Sequence, residues 1–267
     1  MKNTIILTVH NKENSITRIL KSLFKTVSKY TIKFIIILDG CTDETDKKVI
    51  SFLKNNSIKL EVKIIYTDNI WETKANNIGL REVQTQFATI VQDDMLIKQK
   101  DWDKILIDKF SNENIFSISG RAAYNINLKN NKIKIKNIIG REYPISNRNF
   151  FGKLLGKFMA IMKPYWIFKY FSKFAVRMIN NRGPLLLNIK LAGKLGFFDE
   201  EFAPFELDDV DLCCRAYKKF GLYSACLPIY YDEINGSKKN NISSKLISEA
   251  SLAKNTKLII ERHSDLF

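Results

Sequence analysis

Two adjacent aspartates, Asp93 and Asp94, end the apolar run in TIVQDDMLI (residues 89–97). Neighbouring carboxylates repel, so something must offset their charge. A turn or helix cap would do so, since aspartate is favoured at both. So would a hard cation such as Mg2+ or Mn2+, held by carboxylate oxygens together with phosphate oxygens. One aspartate would then hold the metal while its neighbour turns toward a sugar hydroxyl, and the metal would neutralise a diphosphate leaving group. A third acid, Asp39 in IIILDGCTD, also follows an apolar run. It is either a strand-end turn residue before Gly40 or an acceptor for the imide N–H of a uracil ring. The fourth place to look is FELDDVDLCCRAYKKFG, where Glu206, Asp208, Asp209 and Asp211 precede a helical pattern closed by Gly221. Acids at a helix start gain ~0.3–1 kcal/mol each from the macrodipole. One acid would satisfy that preference, and four within six residues suggest more. An aspartate kept ionised beside helix N–H groups can act as a general base.

These acids act together only if the fold gathers them. TIILTV reads as a buried strand, and SITRILKSLFKTV shows helical spacing with Ile16, Ile19, Leu20 and Leu23 on one face. KFIIILDG is a second strand, followed by a turn and a helix that Thr42 or Asp43 could cap. LEVKIIYTD, ETKANNIGLREVQ and QFATIVQDD continue as strand, helix and strand. This alternation predicts an α/β fold with a doubly wound, mostly parallel sheet. Ligands bind such sheets beyond the carboxyl ends of the strands. Asn11, Asp39, Asp68, Asp93 and Asp94 all follow such ends and are expected in one crevice. TVHNKEN stands after the first strand where a dinucleotide dehydrogenase would carry G-x-G-x-x-G.

Composition narrows the classes. The chain has 267 residues, 45% of them hydrophobic, which is enough for a sizeable core. Its 43 Lys+Arg against 28 Asp+Glu give a formal net charge of +15, which attracts anions. Cys41, Cys213, Cys214 and Cys226 form no C-x-x-C pair, so buried reduced thiols in a cytoplasmic protein are expected rather than a zinc or redox motif. The start, MKNTIILTVHN, is apolar for too few residues to be a signal peptide, and no uncharged run is long enough to span a bilayer. The pattern divides the chain at residues 1–124, 125–182, 183–236 and 237–267, the last expected as a helical tail. NINLKNNKIKIKNIIG alternates like a hairpin. Residues 141–182 hold nine Lys or Arg, one Glu and ten aromatics.

TIILTVHNKENSITRILKSL, FIIILDGCTDET, ANNIGLREVQTQFATIVQDDM and GFFDEEFAPFELDDVDLCCRAYKKFG occur in the order seen in family 2 glycosyltransferases of the GT-A fold. The chain resembles that family over most of residues 4–124 and 183–236. The resemblance implies a hexosyltransferase that moves a sugar from a nucleoside diphospho-sugar, with UDP-sugar favoured, to an acceptor hydroxyl with inversion. It implies that Thr8, Asn11, Glu13, Asp39 and Asn76 meet the donor, Asp39 as the base-binding acid. Asp93 and Asp94 match the D-x-D element, with Asp94 the expected ligand of Mn2+ or Mg2+. Asp209 matches the catalytic base, with Asp208, Asp211 and Arg182 as lesser candidates. Three departures stand out. The family's Asp-Asp-Gly-Ser is Leu38-Asp39-Gly40-Cys41 here, and its Glu-Asp pair is Asp208-Asp209. Many relatives place a His near YYDEINGS, where this chain offers Asp232 and Glu233, and neither His10 nor His263 fits that place. His10, after a strand, is expected to pack on backbone.

The rival classes are a non-catalytic relative and a basic nucleic-acid-binding α/β protein. No zinc-finger, homeodomain or RNP pattern accompanies the basic stretch, so no nucleic acid partner is expected. NFFGKLLGKFMAIMKPYWIFKYFSKFAVRMI reads as two amphipathic helical halves broken near Pro164, with a stripe of Lys169, Lys173 and Arg177. Such helices either cover the protein's own core or lie in the interface of an anionic bilayer. The charge excess favours an anionic membrane surface. The expectation is a peripheral enzyme on the cytoplasmic face of the membrane, acting on a glycan or lipid-linked acceptor in cell-envelope polysaccharide or lipooligosaccharide synthesis.

Overall fold

The computed structural model describes residues 1–129, 132–140, 173–234 and 242–267. Strands β1 (Asn3–Val9), β2 (Thr31–Asp39), β3 (Glu61–Thr67) and β4 (Phe87–Val91) alternate with helices α1 (Ile16–Thr26), α2 (Thr45–Asn55) and α3 (Trp71–Arg81). All four strands run parallel. The remaining elements are β5 (Met95–Ile97), α4 (Trp102–Ser111), β6 (Ile115–Ser119), β7 (Ala122–Lys129), β8 (Lys132–Gly140), β9 (Ala175–Arg177), β10 (Ile179–Asn180), β11 (Leu185–Asn188), α5 (Ile189–Lys194), α6 (Asp208–Phe220), β12 (Tyr223–Cys226), β13 (Tyr231–Glu233) and α7 (Ile242–His263). The main sheet has eight strands in the order β3-β2-β1-β4-β11-β6-β12-β9. Strand β11 is antiparallel to both β4 and β6, and β9 is antiparallel to β12.

Period-two side-chain alternation divides the core between the two faces of this sheet. On one face Ile5, Leu7, Phe34, Ile36 and Leu38 pack with Ile16, Ile19, Leu20 and Leu23 of α1 and Trp102 and Leu106 of α4. On the other, Ile6, Ile35 and Ile37 pack with Ala75 and Leu80 of α3 and Leu212 and Ala216 of α6. Burying each such Ile or Leu is worth ~1.5–3 kcal/mol relative to leaving it exposed. Strands covered on both faces must be apolar nearly throughout, which is why TIILTV and KFIIIL lack polar alternation. Helix α3 lies close against the sheet because Gly79 has no side chain. A Cβ there would sit 2.7 Å from Ile6 Cγ2.

Register positions the site. Val9 pairs with Leu38, Asp39 with Thr67, and Leu7 with Val91, so β1 to β4 end nearly level. Since β11 runs the opposite way, its start and the preceding Arg182 come to the same edge. Strand β6 ends there too, followed by Arg121.

The expected hairpin is β7–β8, which adds β10 to form a three-stranded sheet. The first amphipathic half and most of the second fall in residues 141–172, outside the described residues. Where description resumes, Ala175–Arg177 is strand β9, with Val176 opposite Ala225. Arg177 therefore does not continue a helical stripe from Lys173, because pairing with the edge of β12 fixes this stretch as strand. Among the described residues no helix is long and apolar enough to cross a membrane. All four cysteines are free thiols, and burial pushes the Cys213 thiol up to about 11, which keeps it protonated and inert.

Candidate active site

The turn after β1 supplies the first contacts. His10 Nδ1 lies 2.6 Å from the Asp39 carbonyl oxygen, and Asn11 Nδ2 lies 3.1 Å from His10 Nε2. His10 thus packs on backbone, as its place in the sequence suggested. Asn11 Oδ1 also accepts from the Thr42 N–H (2.8 Å). Glu13 accepts from the Glu44 N–H (3.2 Å) and donates its own N–H to Asp43 (3.0 Å). The other Asp43 oxygen accepts from the Thr45 N–H (3.0 Å), but the N-cap position of α2 falls on Glu44, without a side-chain cap bond, rather than on Thr42 or Asp43. Thr8 Oγ1 donates to Asn76 Oδ1 (2.8 Å). Asn76 is 1% exposed and its Nδ2 has no partner among the described residues, an uncommon state for a buried donor. Asp68 is exposed and makes no hydrogen bond or ion pair with the described residues, so it does not join the cluster.

The two aspartates after β4 differ. Asp93 accepts from the His10 N–H (3.3 Å) and pairs with Lys12 Nζ (3.3 Å), itself 6% exposed. Burial pushes Asp93 up to about 6, against the pull of Lys12 and with a further push from Asp94. The Asp94 carboxylate has no hydrogen-bond donor among the described residues. Burial raises it above the usual carboxylate range, Lys12 and Arg121 pull it down, and Glu233 and Glu72 push it up. Strand β13 pairs with β5, and the Ile234 N–H donates to the Asp94 carbonyl (2.8 Å). Strand alternation then separates the two candidates on β13. Asp232 faces Lys98 (3.5 Å), while Glu233 lies near Asp94 and within 3.4 Å of Arg121. Among the described residues no three His, Cys, Asp or Glu side chains gather as a ready metal cage.

The second acid cluster opens α6. Leu207, the residue before it, has φ 63°, and Glu206 has φ 76°. Both are left-handed, which is costly for residues with a side chain. Asp208 is 0% exposed, and accepts from Arg182 Nη1 (2.6 Å) and Thr73 Oγ1 (2.8 Å). Asp211 is also 0% exposed, and faces Arg215 (2.6 Å) and His263 Nε2 (2.9 Å), tying α6 to α7. Asp209 is the most exposed of the three at 9%. Its oxygens accept from the Val210 N–H (2.9 Å) and the Arg182 N–H (3.2 Å). A helix N-terminus alone would keep it at an ordinary carboxylate value. Burial outweighs that, as well as the pull of Arg182, and with Asp208 lifts it to about 6. It is still ionised at neutral pH and is a stronger base than a solvated aspartate.

Glu72 bridges the clusters. Its Oε1 accepts from Gln92 Nε2 (3.5 Å) and lies 3.6 Å from Arg182 Nε. Gln92 precedes Asp93, and Arg182 holds Asp208 and Asp209. Lys12, Glu72, Gln92 and Arg121 were not singled out in the sequence. Lys12 and Arg121 have one readable signal, a cation just past a strand's carboxyl end on the side where the acids gather.

A mostly parallel sheet with acids at its carboxyl ends and a second acid pair at the start of α6 is the architecture of GT-A glycosyltransferases. The chain belongs to glycosyl transferase family 2, whose model matches residues 4–176. Among solved structures it is similar to the mannosyltransferase PcManGT from Pyrobaculum calidifontis in complex with GDP-Man and Mn2+, with TM-score 0.63, 14% identity, 97% of this chain and 64% of that one. It is similar to GalNAc-T7 with UDP, GalNAc and Mn2+, with TM-score 0.66, 13% identity, 98% of this chain and 48% of that one. It is also similar to S. aureus TarS 1-349 in complex with UDP, with TM-score 0.54, 19% identity, 86% of this chain and 60% of that one. At these identities the likeness is one of fold, and the chain spans only about half to two-thirds of their length. No curated protein sequence matches it.

Proposed function

We propose that the chain transfers a hexosyl group from a nucleoside diphospho-sugar to an acceptor hydroxyl, with inversion at the anomeric carbon. The observation that carries this reading is a pair of desolvated acid sites at one edge of the sheet, linked through Gln92, Glu72 and Arg182. Asp94 is a desolvated carboxylate without donors among the described residues, near Lys12 and Arg121. Asp209 is a base tuned to about 6, across Glu72 and Arg182. Asp209 takes the proton of the acceptor hydroxyl as its oxygen attacks the anomeric carbon. The bond from that carbon to the diphosphate breaks, and the leaving group keeps the electron pair. Lys12 and Arg121 favour the charge that develops there.

A divalent cation fits this donor set. A desolvated carboxylate with Glu233 beside it is relieved by a cation, and two carboxylates suffice when phosphate supplies the remaining oxygens. Asp94 would hold it, with Glu233 rather than Asp232 alongside, since Asp93 is already engaged with His10 and Lys12. When bound, Mn2+ or Mg2+ supplies further neutralisation of the departing diphosphate. UDP is favoured because GalNAc-T7 and TarS, both similar in fold, were solved with it, while PcManGT was solved with GDP-Man. In a thermal-shift panel of UDP, GDP and CDP, UDP with Mn2+ is expected to raise the melting temperature, with ~2.7 kcal/mol of stabilisation at 100 times the Kd. Asp94→Ala should lose the Mn2+-dependent part. No shift with any nucleoside diphosphate would overturn the donor assignment, and an undiminished Mn2+-dependent shift in Asp94→Ala would overturn the metal role.

We place the acceptor at an anionic membrane surface on the cytoplasmic face, as a glycan or lipid-linked precursor of the cell envelope. Charge supports this: apart from Arg182, which is buried against Asp208, residues 141–182 carry eight Lys or Arg against one Glu. Each basic residue near such a surface is worth ~1 kcal/mol. The protein is expected to float with anionic liposomes at low salt, and less so as salt rises. Equally poor flotation with anionic and neutral liposomes would remove the membrane from the proposal.

A further inference from the structure

Helix α7 lies beyond the residues that the family model matches, yet it grips the loop that delivers Asp209. Ser248, Asn255 and Arg262 are seven residues apart, about two helical turns, so they share one face of α7. Arg262 Nη1 donates to Asp199 Oδ2 (2.7 Å), and Ser248 Oγ donates to Glu206 Oε1 (2.8 Å). Between them, Asn255 is 0% exposed. Its Nδ2 donates to the carbonyls of Phe202 (2.8 Å), Phe205 (3.0 Å) and Glu206 (2.7 Å). Three acceptors around one nitrogen fix which way the amide faces. One turn further on, Ile259 is buried in the cluster that holds Phe202 and Val210.

The local sequence does not secure this loop by itself. Glu206 and Leu207 are consecutive left-handed residues with side chains, a geometry that persists only where its surroundings over-determine it. Leu207 is also the N-cap of α6, and it makes no side-chain cap bond. A backbone carbonyl taken from water needs a donor. Asn255 supplies one to both peptide units that flank Glu206. A change of backbone angles at Glu206 turns those two carbonyls apart and breaks at least one of the bonds. Asp209 follows three residues later, in the first turn of α6.

We propose that Asn255 is a positioning residue for Asp209: it locks the bend at Glu206 and Leu207, and that bend sets where α6 presents the carboxylate. The effect on turnover rests on the glycosyl-transfer reading above, whereas the lock on the loop does not.

Two variants test this. Asn255→Leu removes the donor at nearly constant size, and Asn255→Ser, the milder change, leaves one O–H for three carbonyls. Arg182 and Asp208, the charged groups that face Asp209, are untouched in both. The properties read are kcat and its pH profile, donor affinity, and amide hydrogen exchange at residues 205–211, with rates taken per folded molecule. Asn255→Leu is expected to lower kcat by about 10²-fold, the scale of a 1 Å misplacement of a reacting group, and to leave donor affinity unchanged. The midpoint of the pH profile should move down from about 6, because burial is what raises Asp209 and a loosened loop admits water to it. Exchange at residues 205–211 should speed up more than in the rest of α6. Asn255→Ser should act in the same direction by less, and it decides by the same readings if the leucine variant does not fold. Wild-type kcat, or a lower kcat with the midpoint unmoved, would mean that Asn255 only docks α7 and would overturn the proposal. Wild-type exchange at residues 205–211 in the folded variants would overturn the lock. That reading is independent of catalysis, so a wild-type protein that transfers no sugar would count against the proposed function while exchange still decides the lock.

Discussion

Asp209→Asn is expected to bind nucleotide as the wild type does and to transfer sugar more slowly by about 10²–10⁴-fold, the usual worth of a positioned general base. Asparagine keeps the shape and can still accept one of the two backbone N–H groups that hold Asp209. What it loses is the ability to take a proton. The same assignment sets a pH dependence. A base must be ionised to work, and Asp209 is lifted to about 6 by burial, with Asp208 adding to the push and Arg182 opposing it. Wild-type turnover should therefore fall about tenfold per pH unit below about 6 and level off above it. Single-turnover rates from pH 5 to 8, with nucleotide binding followed by calorimetry, test both statements. Wild-type turnover by Asp209→Asn would move the role to another acid. Asp211 is the poorer substitute, because both its oxygens face Arg215 and His263.

Most of the nucleotide half was legible before the fold was known. Strands buried on both faces must be apolar, so β1, β2 and β4 announce themselves, and α1 shows its buried stripe. A parallel sheet then brings the residues after each strand to one edge, which is how Asn11, Asp39, Asp93 and Asp94 could be grouped. Asp68 shows the limit of that rule, for it lies at the same edge but is exposed. The other strands were less legible because they are short and paired out of sequence order. Ala175–Arg177 looks like a continuation of a basic helix until its pairing with β12 is seen. The roles of individual acids were harder still. Sequence prefers Asp209 over Asp208 and Asp211 only through the family resemblance, and it takes the fold to show Asp208 held by Arg182 and Thr73, Asp211 tied to α7, and Asp209 the most exposed of the three. Asp39 illustrates the same point, since its hydrogen bonds to Thr67, Ile70 and Trp71 on the turn after β3 could not be foreseen from its type.

Arg182→Met should be the most destabilising of the substitutions considered. Arg182 is 7% exposed and donates to Asp208, which is 0% exposed. Its guanidinium also lies over the Phe198 ring at 5.4 Å and near Glu72 at 3.6 Å. Methionine fills the space of the stem but leaves Asp208 a buried carboxylate with only Thr73 Oγ1 and the Asp209 N–H to face it. Breaking a buried pair from one side costs about 3–5 kcal/mol, which at roughly 2–4 °C per kcal/mol corresponds to a fall in melting temperature on the order of 10 °C. Arg182→Lys should cost less, because charge is kept while the planar fork is lost. The double variant Arg182→Met, Asp208→Leu discriminates between a lost contact and a stranded charge. If the stranded carboxylate is the cause, removing it as well should recover part of the stability, and the two effects will be far from additive. Activity need not return, since the Asp209 loop loses its anchor in either case. Thermal melts of the four proteins decide the matter: a double variant no more stable than Arg182→Met alone would mean that Arg182 acts through packing on Phe198 rather than through Asp208.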